Sequence, residues 1–310
     1  MKVILGSGIV GLLAKLILGP SWTVIPFYKS RFFSYNPSLD DNFLIRDPSI
    51  DDVIKQILNQ KTLSIYPYKR AWSIAGHILP QWDDSLCGDW LHKIFQDNIP
   101  AQSVIYNKDR LNLNVYDIRI NDLYSRLLNL YISDLKKESA NGQITEIGDH
   151  FIVRNGIKID VEQIINTIPL NKVCELANLE VDLPSKDIHY WHVGTTELDF
   201  EGNNQLLVAD RPLGFYKVTN IAPNRYMFYC HEDIPNPGSY LMAFMKKFEI
   251  LDGTTIPEAM PLGDIPNTNI LSNMGIYNVG SFAEWDWCAD VGSNILKLVR
   301  FANRGYKERQ

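Results

Sequence analysis

The chain has 310 residues, 45% of them hydrophobic and 21% charged, enough to bury the core of one large domain or two ordinary ones. Its formal net charge of -6 argues against whole-surface attraction to nucleic acid, while leaving room for a local basic patch. Cys87, Cys174, Cys230 and Cys288 are far apart and form no C-x-x-C pair. They read as free thiols in a reducing compartment rather than as a zinc cluster or a disulfide framework.

The chain opens Met1-Lys2-Val3-Ile4-Leu5-Gly6-Ser7-Gly8-Ile9-Val10-Gly11. Val3-Ile4-Leu5 is an uncharged run of the kind found in strands buried on both faces. Gly6, Gly8 and Gly11 fit G-x-G-x-x-G between that strand and an apolar helix, which is the context a dinucleotide-binding turn requires. In that turn Gly6 permits the tight bend, Gly8 lets a diphosphate approach the backbone, and Gly11 lets helix and strand pack closely. Ser7, Ile9 and Val10 complete the candidate cofactor loop, at a helix start whose N–H groups suit an anion. A motif starting at residue 6 leaves no room before it for a signal peptide, and the apolar stretch 9–18 is too short to span a bilayer. The expectation is a cytoplasmic protein without membrane or metal.

The first helix is expected over 9–18, stopped by Gly19-Pro20, with a second strand at Trp22-Thr23-Val24-Ile25. Pro26, Phe27 and Tyr28 stand where such units usually carry a ribose-binding acid. Lys29, Ser30 and Arg31 are the nearby polar candidates. Residues 49–59 read as a helix capped by Ser49, with Asp51 and Asp52 at its positive end. Residues 61–75 are β-rich and carry Tyr66, Tyr68, Lys69, Arg70 and Trp72. Asp84 to Asp97 and Ile120 to Lys137 read as helices, the second by its apolar spacing. Strands at 143–147, 150–154 and 157–159 follow, with Asn155-Gly156 as a hairpin turn. A buried strand then ends in Asn166-Thr167-Ile168-Pro169. Further strands are expected at 189–195, 205–210, 215–219 and 225–230, a short helix at 239–249, and a helix over 289–303. His189 and His192 fall on opposite faces of a strand, which argues against a metal site. His77 and His92 read as ordinary surface or core histidines, one of them a candidate base, and His231-Glu232-Asp233 as a loop.

Three stretches together resemble one family: the glycine loop, Ile164-Ile165-Asn166-Thr167-Ile168-Pro169, and Gly275 to Trp287 before the last helix. They resemble the FAD-dependent group of flavin amine oxidases, protoporphyrinogen oxidase and UDP-galactopyranose mutase. Asp210 and Phe215-Tyr216-Lys217-Val218-Thr219 resemble substrate-domain strands of its mutase-like members. The resemblance implies an α/β fold with a Rossmann-like FAD-binding domain built from separated segments, 1–48, 138–185 and 250–310. A mixed-sheet substrate domain is then expected over 49–137 and 186–249. The implied cofactor is FAD rather than NAD. Its candidate contacts are the glycine loop, Thr167, Pro169, Gly280, Ser281, Trp287 and Gly292. Ser281 departs from the arginine many members carry after the glycine.

The implied activity is oxidation of a C–N bond by hydride transfer to the flavin. Candidate catalytic residues are Trp285, Glu284, Tyr216 and Lys217, and candidate substrate contacts are Tyr66, Lys69, Arg70 and Trp72. Phe282, Trp285 and Trp287 read either as rings facing the flavin or as core. The compact length resembles phage flavoenzymes that hypermodify thymine in DNA, with a glycinyl-bearing base as substrate in the host cytoplasm. Duplex DNA would then meet Lys69, Arg70, Lys246, Lys247, Lys297, Arg300, Arg304, Lys307 and Arg309, the tail reading otherwise as a solvated helix end. The alternatives are a UDP-sugar mutase gripping a diphosphate with Arg211, Arg225, Tyr216 and Tyr226, and a flavin-binding module without catalysis.

Overall fold

The computed structural model describes residues 1–27, 43–96, 98–101, 111–230, 237–264, 269–284, 286 and 290–307. The call on Lys29, Ser30 and Arg31 lies outside these residues, as do those on Trp285, Trp287, Cys288, Arg309 and His231 to Asp233.

A 4-stranded parallel sheet has the order β16-β10-β1-β2, built from β1 (Lys2–Leu5), β2 (Trp22–Ile25), β10 (Gln163–Asn166) and β16 (Ile276–Asn278). Its strands alternate side by side. Ile4, Val24 and Ile165 point into one apolar layer, and Val3, Leu5, Ile25, Ile164 and Ile276 point into another. Period-2 geometry demands this of short apolar strands buried on both faces. Helices α1 (Ile9–Leu18), α2 (Asp51–Leu58), α4 (Ile120–Ala140) and α9 (Val291–Lys307) contribute to the first layer. The second is closed by a 3-stranded meander, β7 (Ile144–Gly148), β8 (Phe151–Arg154) and β9 (Ile157–Asp160), and by α5 (Leu170–Leu176). The β8–β9 turn has positive φ at both Asn155 (51°) and Gly156 (73°), the type I′ geometry that Asn-Gly favours. Arg154, almost wholly buried, ties the meander to α4 through the Glu138 carboxylate at 2.6 Å and the Glu138 carbonyl.

The second sheet is 9-stranded, with the order β15-β11-β14-β13-β12-β4-β6-β3 and β5 beside β4. Its strands are β3 (Phe43–Ile45), β4 (Ile65–Ile74), β5 (His77–Leu79), β6 (Asn112–Arg119), β11 (Ser185–Gly194), β12 (Gln205–Val208), β13 (Phe215–Ala222), β14 (Arg225–Cys230) and β15 (Glu249–Pro261). The β12–β4 pair is parallel and the other pairs are antiparallel. One face packs under α3 (Asp84–Phe95), and Leu241 of α6 (Pro237–Phe244) packs on the other. Three small helices complete the order: a 3-10 turn at Pro48–Ile50, α7 (Asn269–Asn273) and α8 (Ser281–Glu284).

Three expectations are corrected. Asp47 caps the 3-10 turn Pro48–Ile50 that leads into α2, its carboxylate accepting the Ser49 N–H at 2.9 Å; Ser49 sits inside that turn, and α2 itself has no side-chain cap. The helix expected over 239–249 ends at Phe244. Residues 250–261, grouped from sequence with the FAD-binding segments, run in β15 and pair with β11 in the larger sheet.

Among the described residues no helix is long and apolar enough to cross a membrane, and no group of His, Cys, Asp or Glu has metal-holding geometry. Cys87, Cys174 and Cys230 are buried free thiols, and burial pushes the Cys230 thiol up to about 12.

Candidate functional site

The turn from β1 into α1 is fixed by three glycines with three different reasons. Gly6 has φ +98°, and a Cβ there would lie 2.7 Å from Thr167 Oγ1 and 2.8 Å from Ile168 Cγ2. A Cβ on Gly11 would lie 2.1 Å from the Gly6 carbonyl oxygen, so helix and turn touch through backbone alone. Gly8, by contrast, faces open space, with nothing within 4 Å of the position its Cβ would take. It is the N-cap residue of α1, which has no side-chain cap and no acid in its first turn. The first N–H groups of α1 and its positive dipole end therefore keep their capacity for an anion beside a backbone that carries no side chain. These residues fit the diphosphate of a dinucleotide.

Strand β10 buttresses this turn. The Thr167 hydroxyl donates to the Leu5 carbonyl at 2.6 Å, and the Thr167 N–H donates to the same oxygen at 3.0 Å. Pro169 is the N-cap residue of α5. Asn166, fully buried, donates from Nδ2 to Asn278 Oδ1 at 2.9 Å and accepts the Ile168 N–H at 3.0 Å, joining β10 to β16. At the end of β2, where the acid is missing, the Phe27 carbonyl accepts the Gln143 side-chain amide at 3.2 Å.

The C-terminal stretch reaches the same turn. Gly280 has φ +117°, and a Cβ on it would meet the Val10 methyls at 3.7 and 3.8 Å. Its N–H donates to Glu284 Oε2 at 3.1 Å, while Glu284 Oε1 pairs with Lys297 Nζ at 2.6 Å. One oxygen of Glu284 thus holds the Gly280 turn and the other ties α8 to α9. The Ser281 carbonyl accepts the Asp286 N–H at 2.9 Å. Gly292 lies instead near Ile45, its Cβ position 3.4 Å from that carbonyl oxygen. Asp290 caps α9 by accepting the Ser293 N–H at 2.7 Å.

The larger sheet presents a second set of candidates. Cross-strand partners share a face. The register puts Thr254, Tyr190, Tyr229, Lys217, Leu207 and Trp72 in one row across six strands. The Lys217 ammonium lies 3.5 Å from the Tyr229 ring centroid. Tyr216, next along β13, occupies a bulge and packs in the same layer, where its carbonyl accepts the Trp90 indole N–H at 2.7 Å. Two residues along, a polar row runs Asp252, His192, Met227, Thr219, Gln205 and Arg70.

Candidates expected to act together are divided by the strands. Lys69 and Arg70, adjacent on β4, project to opposite faces. Trp72 is fully buried between Trp82 and Trp90, a wall of the aromatic layer rather than an exposed contact. Tyr66 stacks edge-on against Phe43, and burial, with Asp117 nearby, pushes its hydroxyl up to about 12. Tyr216 and Tyr226 lie in layers on opposite faces of the sheet, and Arg211 pairs with Asp89 at 2.9 Å. Lys297 is taken by Glu284, whereas Lys69, Lys246, Lys247 and Arg300 are exposed. His77 is exposed at β5, and His92 is half-buried in α3.

Two polar groups, one on α3 and one on the sheet, have roles that the sequence did not suggest. Lys93 is buried and donates to the carbonyls of Val208, Asp210 and Phe215 at 3.1, 2.6 and 2.7 Å, clamping the β12–β13 connection. Burial lowers its ammonium to about 8. The other is His192, whose Nδ1 lies 2.6 Å from Asp252 Oδ1. The spacing of a lone lysine in a helix carries no signal for the first. The second depends on β15, a strand not expected from sequence.

No family model and no curated protein sequence matches the chain. Solved structures do. A reduced UDP-galactopyranose mutase aligns at TM-score 0.66 and 13% identity, covering 99% of this chain and 93% of that one. Cyclohexylamine oxidase from Brevibacterium oxydans IH-35A aligns at TM-score 0.63 and 10% identity, covering 99% and 98%. An oxidoreductase from Methanosarcina mazei aligns at TM-score 0.59 and 11% identity, covering 98% and 100%. At such identities the likeness is one of fold: along nearly its whole length, this chain has the mixed α/β architecture that these proteins share.

Proposed function

We propose that the chain is an FAD-dependent oxidoreductase of amine-oxidase type. The observation that carries this reading is the uncapped start of α1 beside Gly8, with Gly280 of the C-terminal stretch closing against Val10. Gly6, Ser7, Gly8, Ile9, Val10 and Gly11 hold the diphosphate of the cofactor, with Thr167 fixing the loop from below. When bound, FAD supplies a two-electron acceptor for the hydride on a carbon next to nitrogen. The chain's own part is to orient that carbon and keep water away from it. The Lys217 ammonium over the Tyr229 ring, with Tyr190 beside it, is the place we assign to the substrate, and Trp72 backs it from within the aromatic layer. Two of the structural neighbours support the amine, being named for cyclohexylamine and putrescine.

The test is the visible spectrum of the purified protein before and after anaerobic addition of cyclohexylamine, putrescine or benzylamine. A flavin band that an amine bleaches supports the proposal. Absence of flavin after gentle purification and after reconstitution with FAD overturns it and favours another nucleotide-binding role. The mutase neighbour gives a second reading its specific support. In that reading a UDP-sugar is isomerised only once the flavin has been reduced, and no amine bleaches the band.

The finer proposal within the first reading is a glycinyl-bearing thymine in DNA, met through the exposed Lys69, Arg300, Lys246 and Lys247. Such binding weakens steeply with salt, because neutralised phosphates release counterions, and the base leaves the stack to reach the flavin. Duplex binding measured at low and moderate salt, for the wild type and for Lys69→Glu with Arg300→Glu, decides it. Undetectable binding at low salt sinks the DNA substrate and leaves a free amine.

A further inference from the structure

Resting on the amine-oxidase reading, we infer that His192, held by Asp252, is the group that takes the N–H proton of the substrate amine before its C–H bond is oxidised. His192 is 7% exposed, and its Nδ1 lies 2.6 Å from Asp252 Oδ1. A carboxylate accepts only, so Nδ1 carries the hydrogen and Nε2 is left as a lone-pair acceptor in the neutral ring. That Nε2 is buried and has no hydrogen-bond partner among the described residues. Leaving a buried acceptor unpaired costs about 1–3 kcal/mol, so such groups are uncommon and point to a role beyond packing.

The register places this imidazole on the face that carries Lys217. His192 and Tyr190 are two residues apart on β11, their rings 6.3 Å apart, and Tyr190 lies 6.3 Å from Tyr229, over which the Lys217 ammonium sits. From its own strand and the neighbouring strands, the titratable or charged groups on this face are Asp252 and Glu249 from β15, Tyr190 from β11, Tyr229 and Arg225 from β14, and Tyr216 and Lys217 from β13. Arg70 of β4 ends the polar row, and Glu284 of α8, which packs against β15, is already paired with Lys297. Nε2 of His192 is thus the atom among them placed to take a proton, on a ring oriented by an acid that stabilises the imidazolium once it forms, as in other His–Asp pairs.

The chemistry balances. An amine arrives protonated, and its nitrogen has no free electron pair. Transfer of one N–H proton to Nε2 frees that pair. That pair is then free to form the C=N bond, for which a bound flavin would be the two-electron oxidant taking the hydride from the adjacent carbon. Asp252, on Nδ1, stabilises the imidazolium, and the Nε2 proton leaves to water once the product has gone, which restores the Nε2 lone pair with Nδ1–H still on Asp252.

The test uses the flavin-loaded wild type, His192→Gln and Asp252→Asn. Flavin content and thermal unfolding are expected to match in all three, because neither residue touches the glycine loop. With the amines above, anaerobic bleaching at neutral pH is expected to slow on the order of 10²–10⁴-fold in His192→Gln, the usual range for a lost general base. The acid limb of its pH profile should vanish, and Asp252→Asn should show a smaller loss. A second readout needs no turnover. The imidazole C–H resonance of His192, identified by its absence in His192→Gln, should shift on adding tert-butylamine, which has no hydrogen on the carbon next to nitrogen. A wild-type rate and limb in His192→Gln, or no shift with tert-butylamine, overturns this inference while an amine-bleached flavin keeps the parent reading. Full flavin that none of the amines reduces also overturns it, and leaves only the cofactor assignment standing. Absence of flavin from the wild type instead overturns the parent reading.

Discussion

Helices α1 and α9 pack against each other and begin in opposite ways. The start of α9 is closed by Asp290, which engages the Ser293 N–H and, through its backbone carbonyl, the Ser293 hydroxyl at 2.8 Å. The start of α1 has neither cap nor acid, and the residue that would carry the cap is a glycine facing open space. Both helices have the same orphan donors and the same dipole, so the difference lies wholly in the residues placed before them. One end is finished by the chain for stability. The other keeps its donors for a ligand.

Substitutions can break this contrast in order of expected effect. Gly11→Val comes first: its Cβ has no position clear of the Gly6 carbonyl, and the obstacle is backbone. Destabilisation beyond about 3 kcal/mol, the upper end of overpacking effects, should show as lost soluble yield and a collapsed thermal transition. A well-folded Gly11→Val protein would contradict the close helix-to-turn contact. Gly8→Glu comes next and should separate binding from folding. Open space accepts the side chain, so stability stays within about 1 kcal/mol of wild type. Its carboxylate repels a diphosphate, so flavin absorbance should fall to background. Stoichiometric flavin in the folded variant would refute the cofactor loop.

Asp290→Ala tests the closed end. Loss of the cap should lower stability by about 1 kcal/mol in urea unfolding. Flavin per folded protein should stay unchanged, and a variant that loses flavin without losing stability would show that the two ends are less distinct than drawn. Lys297→Met is the smallest change. Its pair with Glu284 is only partly shielded, and such pairs contribute about 0–1 kcal/mol, so a midpoint shift near the limit of measurement is expected. A shift of several kcal/mol would make α8 a main support of the Gly280 turn.

The α1 end was legible from residues 1–25, because glycine spacing, an uncharged strand and an apolar helix all carry local signals. The Asn155-Gly156 turn was legible for the same reason, since only a few residue pairs favour two positive φ angles in succession. Strand β15 was not. Gly253, Pro257 and Pro261 break up the local strand signal, yet an edge strand tolerates glycine and proline that a central strand would not. Gly253 has a further reason: the Trp191 ring lies across it, and a Cβ there would come within 2.4 Å of the indole. Strand β6 was also passed over, though its partners β3 and β4 flank it on both sides. The polar row escaped for a deeper reason. Asp252, His192, Thr219, Gln205 and Arg70 share a row only after six strands are paired in register, and they are drawn from positions as far apart as 70 and 252.

The aromatic layer under α3 also has an optical consequence. Trp72 lies 5.5 Å from Trp82 at 58° and 6.2 Å from Trp90 at 72°. Indoles this close and this far from parallel mix their excited states, and the chirality of the arrangement turns that mixing into a signed pair of circular-dichroism bands. Their intensity reports the packing of α3 on the larger sheet and nothing of the parallel one. Followed during denaturation beside flavin release, those bands would reveal whether the two halves of the molecule come apart together or in turn.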